Sequence, residues 1–216
     1  MNLNLPVHIE GHVTITDNAT GEILLSKTNA VHSKNMATAI ARGLSNTPNN
    51  QIFKLKLGNE GTYIDTSQQI VFRPPNVSGD TADLYNQTYV EIVDDGNALF
   101  GPGNSVTFSN IPASTNTRVI ITCVISANEA VNRPTDEADS ATPTPVNVIE
   151  TPNVVATLDP NSQFFFDELG LFTKETSGTM LNGVGELMLS HLIFSPIEHT
   201  GSRELTIVYS LTISVS

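Results

Sequence analysis

Few residues in this chain could act on a ligand: five histidines, one cysteine, and short clusters of acids and glycines. His8 and His12 stand four apart and share a face if one strand carries both. A zinc site needs a third ligand and usually a fourth. None stands nearby, so the pair is read as two strand-face histidines. His191 and His199 lie within or just after an apolar stretch, with no Ser or Asp tied to either by spacing. They are expected to be hydrogen-bonded structural residues rather than acid-base catalysts. Asp94-Asp95-Gly96-Asn97 begins like a calcium loop but lacks the later ligands and the distal Glu that close one. Gly58-Asn59-Glu60-Gly61-Thr62 follows a strand as a phosphate loop would. No Lys-Ser/Thr pair and no helix come after it, so it is a turn. Cys123 sits in RVIITCVIS, where apolar neighbours predict a buried, unreactive thiol. No paired carboxylates and no His-rich metal face emerge, so neither enzyme activity nor a cofactor is expected.

Composition narrows the classes further. A net charge of −12 with only ten Lys and Arg leaves no basic cluster to displace counterions from a nucleic acid, and an anionic membrane is disfavoured for the same reason. No signal peptide or transmembrane span is apparent, and a lone cysteine is compatible with a reducing compartment. Synthesis in a cytoplasm, the chain's own or a host's, is the expectation. Hydrophobic residues make up 39 % and charged ones 15 %, with β-branched residues and turn formers abundant, as in an all-β protein.

The elements that must position these residues follow from periodicity. In RELTIVYSLTISVS, Leu205, Ile207, Tyr209, Leu211, Ile213 and Val215 alternate with polar residues, Val208 being the one apolar intruder. That period of two marks a long strand with one wet face, and its position at the C-terminus predicts pairing on both sides. His12–Thr16 and Glu22–Lys27 form a hairpin around Asp17–Gly21. One helix follows, capped by Ser33 or Asn35, with Met36, Ala37, Ile40, Ala41 and Leu44 as its packing stripe. In IFKLKLG, Lys54 and Lys56 are expected to face solvent. Residues 68–84 form an edge strand or loop, and Tyr89–Val93 another strand. SVTFSNIP and TRVIITCVIS are two more, the second expected to be buried on both faces. FFFDELGLFTKE is a strong strand with a bulge or close approach at Gly170. Leu187–Ile197 and Arg203–Ser216 are predicted to pair as a closing hairpin.

Together these give a single domain over residues 1–216, an antiparallel, jelly-roll-like β-sandwich with one short helix. The stretch 127–162 differs in kind, rich in Pro, Thr, Asn and acid. It is either a disordered insertion or an arm ordered on a neighbouring subunit. Val146, Val148, Ile149, Val154, Val155 and Leu158 favour the arm, because they need somewhere to bury, and they are the candidate interface residues.

The order of these segments resembles a small class of virion structural proteins of tailed bacteriophages. The resemblance is carried by DNATGEILLSKTNAVH, SKNMATAIARGLSN, LKLGNEGT, FFFDELGLFTKE and the late HLIFSP…RELTIVYSLTIS. It spans most of the chain outside residues 67–162 and transfers no functional residue. It implies a non-enzymatic homo-oligomer in the virion, made in the host cytoplasm and contacting copies of itself and other virion structural proteins. A ring or array in the tail, neck or baseplate is the favoured place, with a capsid decoration protein as an alternative. A carbohydrate- or receptor-binding module is a further class, weakened by the absence of Trp and the scatter of the four tyrosines.

Overall fold

The computed structural model describes residues 6–47, 50–79, 82–93, 103–111, 114, 116–127, 164–174, 177–178, 183–200 and 202–215. In chain order, β1 (Val7–Asp17), β2 (Ile23–Thr28) and the short β3 (Ala30–Val31) lead into helix α1 (Ser33–Leu44). Then come β4 (Ile52–Gly58), β5 (Thr62–Ile64), β6 (Ile70–Phe72), β7 (Gln87–Ile92), β8 (Ser105–Asn110) and β9 (Thr117–Ile125). β10 (Phe164–Thr173), β11 (Ser177–Gly178), β12 (Gly183–Val184), β13 (Met188–His199) and β14 (Leu205–Val215) complete the chain. Two five-stranded sheets result, β2-β1-β14-β9-β8 and β3-β13-β10-β4-β7, with antiparallel pairing throughout. β5 with β6, and β11 with β12, form two small ribbons.

The C-terminal strand is central, as its alternation requires. β14 pairs with β1 along Val7↔Val215 to Asp17↔Leu205 and with β9 along Leu205↔Ile125 to Ile213↔Thr117. Leu205, Ile207, Tyr209 and Leu211 enter the core. There they meet Leu55, Leu57, Tyr89, Phe166, Leu169 and Leu171 of the second sheet. Each such side chain contributes about 1.5–3 kcal/mol by leaving water, so the facing layers dominate stability. Tyr209 adds a polar tie between sheets, its hydroxyl donating to Ser190 Oγ at 2.6 Å and accepting from Asn29 Nδ2. Burial pushes that phenol well above its ordinary range.

The first hairpin forms as expected. Asp17 Oδ1 accepts from the amides of Ala19 and Thr20, and Gly21 takes φ 71°, which its missing Cβ permits.

Four expectations are corrected. β13 and β14 do not pair: the chain turns a corner between them and they lie in opposite sheets. Their apolar faces thereby meet across the core, which a flat hairpin would not allow. Arg203 holds this corner, with Nε donating to Asp17 Oδ2 at 2.7 Å and Nη1 to Glu198 O at 2.7 Å. β9 is not buried on both faces, since Ile121, Cys123 and Ile125 are sealed while Ile120, Thr122 and Val124 are only partly buried. The helix is capped by His32, whose Nδ1 accepts from Asn35 N at 3.2 Å. Its buried side is Asn35, Met36 and Ala39, leaving Ala37, Ile40 and Ala41 outward and Leu44 85 % exposed. Asn35 faces inward because its amide donates to Met188 O at 3.0 Å. The fourth correction concerns Lys54 and Lys56.

Candidate functional site

Lys54 and Lys56 are fully buried. On β4 they alternate with the core residues Leu55 and Leu57, so they point to the far side of the second sheet, opposite Phe172 and Gly170 of β10. Segments outside the sheet cover that side. Glu186 Oε2 lies 2.9 Å from Lys54 Nζ and Glu186 Oε1 lies 2.6 Å from Lys56 Nζ, while Asp83 approaches Lys56 at 3.6 Å. The Lys56 ammonium also stands 4.0 Å from the centre of the Phe172 ring.

A second polar group lies on the same side. Glu168 and His191, both fully buried, are 2.9 Å apart. Asn76 N–H donates to His191 Nδ1 at 2.8 Å, so Nδ1 is an acceptor and the ring proton sits on Nε2, donating to Glu168. Glu168 also accepts from the amides of Tyr85 at 3.0 Å and Asn86 at 2.8 Å. The pair resembles an acid-base dyad, but both ring nitrogens are committed and neither group reaches solvent. Its visible work is to pin the connection between β6 and β7 onto the sheet. Asp167 does the same for β5, accepting from Gly61 N at 2.8 Å, Thr62 N at 2.8 Å and the Thr62 hydroxyl. Burial pushes the Asp167 carboxyl up, and the Thr62 and Gly61 bonds oppose that. The glycines of the Gly58–Thr62 turn belong to this scheme: a Cβ on Gly58 would collide with Asn86 O and Glu168 Oε1. They permit close approach and form no phosphate cradle.

The remaining sequence candidates separate. His8 is exposed, and His12, part-exposed on the same face, has Nε2 3.2 Å from Ser26 Oγ. His199 is buried at the β13–β14 corner. Burial, with Arg203 adding to it, lowers its pKa from 6.5 to about 4. Cys123 is buried. Among the described residues no group of three or more His, Cys, Asp or Glu is placed to hold a metal, and no helix is long and apolar enough to cross a membrane. Asp94–Asn97 and the interface candidates Val146, Val148, Ile149, Val154, Val155 and Leu158 lie outside the described residues. Sequence reasoning misses the buried lysines because alternation assigns a polar residue to water. The acid pair Asp167-Glu168 embedded in FFFDELGLF does signal that polar groups are buried on this sheet. Its partners, however, are Gly61, Thr62, Tyr85, Asn86 and His191, and nothing in the local sequence marks Glu186 as the partner of the lysines.

Surfaces offer more than the buried groups. The β5–β6 ribbon exposes Ile64 at 71 % and Ile70 at 51 %, a directly paired couple. With Phe165 and Pro196 they line a cleft of about 310 Å³. Another groove, about 730 Å³, runs between α1 and the start of β1, lined by Val7, Ile9, Met36, Ala37 and Ile40. The edge strand β8 carries no charge and exposes Phe108 at 66 %. No protein-family model, curated protein or solved structure matches the chain.

Proposed function

We propose that this chain is a non-enzymatic structural protein of a tailed-phage virion, assembling through apolar and β-edge surfaces into a ring or array of the tail, neck or baseplate. The observation that carries the assembly reading is the apolar ribbon. Tyr63, Ile64, Ile70 and Phe72 are each roughly half exposed or more, with Phe165 beside them. Contiguous apolar surface of this kind marks contact sites in soluble proteins. Among the described residues the uncharged β8 is the edge strand of its sheet, the kind of strand another chain can extend by backbone pairing. The virion assignment rests on the sequence resemblance, which takes in strands of both sheets but not β7, β8 or β9. Stretch 127–162 enters the proposal as an arm that packs on a neighbouring subunit.

The test is the mass of the purified protein in solution across a concentration series, alongside the double variant Ile64→Asp/Ile70→Asp. Self-association that the variant abolishes without loss of melting temperature supports the ribbon as a contact. Specific binding on a glycan array by a strictly monomeric protein would move the reading to a receptor-binding module.

A further inference from the structure

We propose that the outer face of the first sheet is a two-fold contact between two copies of this chain. The inference builds on the assembly reading in one respect, that the chain meets copies of itself, and it names a surface the ribbon and edge arguments do not use.

The outward residues of β1, β14 and β9 alternate with buried ones, so they form one continuous face. Ser and Thr dominate it: Thr14 and Thr16 on β1, Thr206, Ser210 and Thr212 on β14, Thr122 on β9. Val208, Ile120 and Val124 form an apolar centre, Val208 being 36 % exposed. The chain carries 22 acids and a net charge of −12. Among the described residues of the five strands, however, this face presents only Glu10 and Arg118 as formally charged groups at neutral pH, with His8 and His12 beside Glu10 and Glu204 at the rim. Acidic repulsion between copies is therefore small across this face.

The placement of those two charges selects the geometry. Glu10 pairs with Thr212, and Thr212 pairs with Arg118, so the three form one row across adjacent strands. Both charged residues are exposed. With strands about 4.8 Å apart, Glu10 and Arg118 stand roughly 10 Å from each other on either side of β14. A two-fold axis lying in the contact plane along β14 carries each Glu10 over the other copy's Arg118. An isologous contact thus acquires two opposite-charge pairs from one row. Size is consistent with this: five strands of about nine residues present roughly 700 Å² per copy, or roughly 1,400 Å² in all, within the range of specific interfaces.

The experiment uses sedimentation velocity on the full chain and on two surface variants, Glu10→Arg and Arg118→Glu. Each variant alone places like charges opposite one another and should weaken the dimer about tenfold or more. An equimolar mixture of the two satisfies both pairs at once and should associate as tightly as wild type, although its summed charge is unchanged. Circular dichroism melting should be the same for all three proteins, because both side chains are exposed. If wild type self-associates while neither variant nor their mixture differs from it, this face is not the contact and the assembly reading stands on other surfaces. A wild-type protein that stays monomeric throughout overturns this proposal and the homo-oligomeric half of that reading together.

Discussion

Single residues carry unusual electrostatic weight in the second sheet. Glu186 is the common partner of two buried ammonium groups, so Glu186→Gln should leave charge inside the protein without adequate compensation. A loss of about 3–5 kcal/mol in urea unfolding is expected. Replacing all three members with Lys54→Met, Lys56→Met and Glu186→Leu should recover most of that loss, because a well-packed apolar trio needs no ionic partner. Unchanged stability in Glu186→Gln would show that the lysines are held by other groups. His199 makes a second prediction. Its pKa falls from 6.5 to about 4 on folding, so the unfolded chain binds a proton that the native state resists. Stability is complete above pH 6.5 and declines by up to about 3 kcal/mol as pH falls to about 4. His199→Gln should remove the slope in that window. Asp17 acts lower: Arg203 and the turn amides depress its pKa below 3.8, so its contribution disappears only in stronger acid.

Elements show what periodicity can reveal and what it cannot. β14 is legible in the sequence because strict alternation survives wherever one face is core and the other polar. Leu211→Asp, placing an unpaired carboxylate in that core, should cost about 3 kcal/mol or more and abolish soluble expression. β4 alternates just as cleanly, yet its polar face is buried, because residues far away in sequence cover it. Alternation reports two faces and says nothing of what lies over either. The helix misleads for a related reason: Ile40 and Leu44 form an apolar stripe, but His32 and Asn35 fix the helix by hydrogen bonds that turn Met36 and Ala39 inward. Adjacency in sequence suggests that β13 and β14 pair, and the corner held by Arg203 separates them. Gly58→Ala tests the cover on β4 and β10, since its Cβ would collide with Asn86 O and Glu168. A loss of about 1–3 kcal/mol is expected in thermal or urea unfolding. Wild-type stability in that variant would mean that the segment over the sheet is free to shift.

At the scale of the whole molecule, the sandwich is closed by strands from opposite ends of the described chain. β1 pairs with β14 over its full length, with Val7 opposite Val215. This has a mechanical consequence. A pull applied at residues 7 and 215 acts across the ladder and starts at its terminal pair, so the hydrogen bonds would break in succession like a zipper. Loading along the strands would instead stress all of them together in shear. Tethered by those two positions in a force spectrometer, the domain should open at low force. Tethered through Asp17 and Val215, at opposite ends of the same strand pair, it should resist far more. In an assembly that transmits tension, load would then have to enter through the faces of the sandwich and bypass its two chain ends.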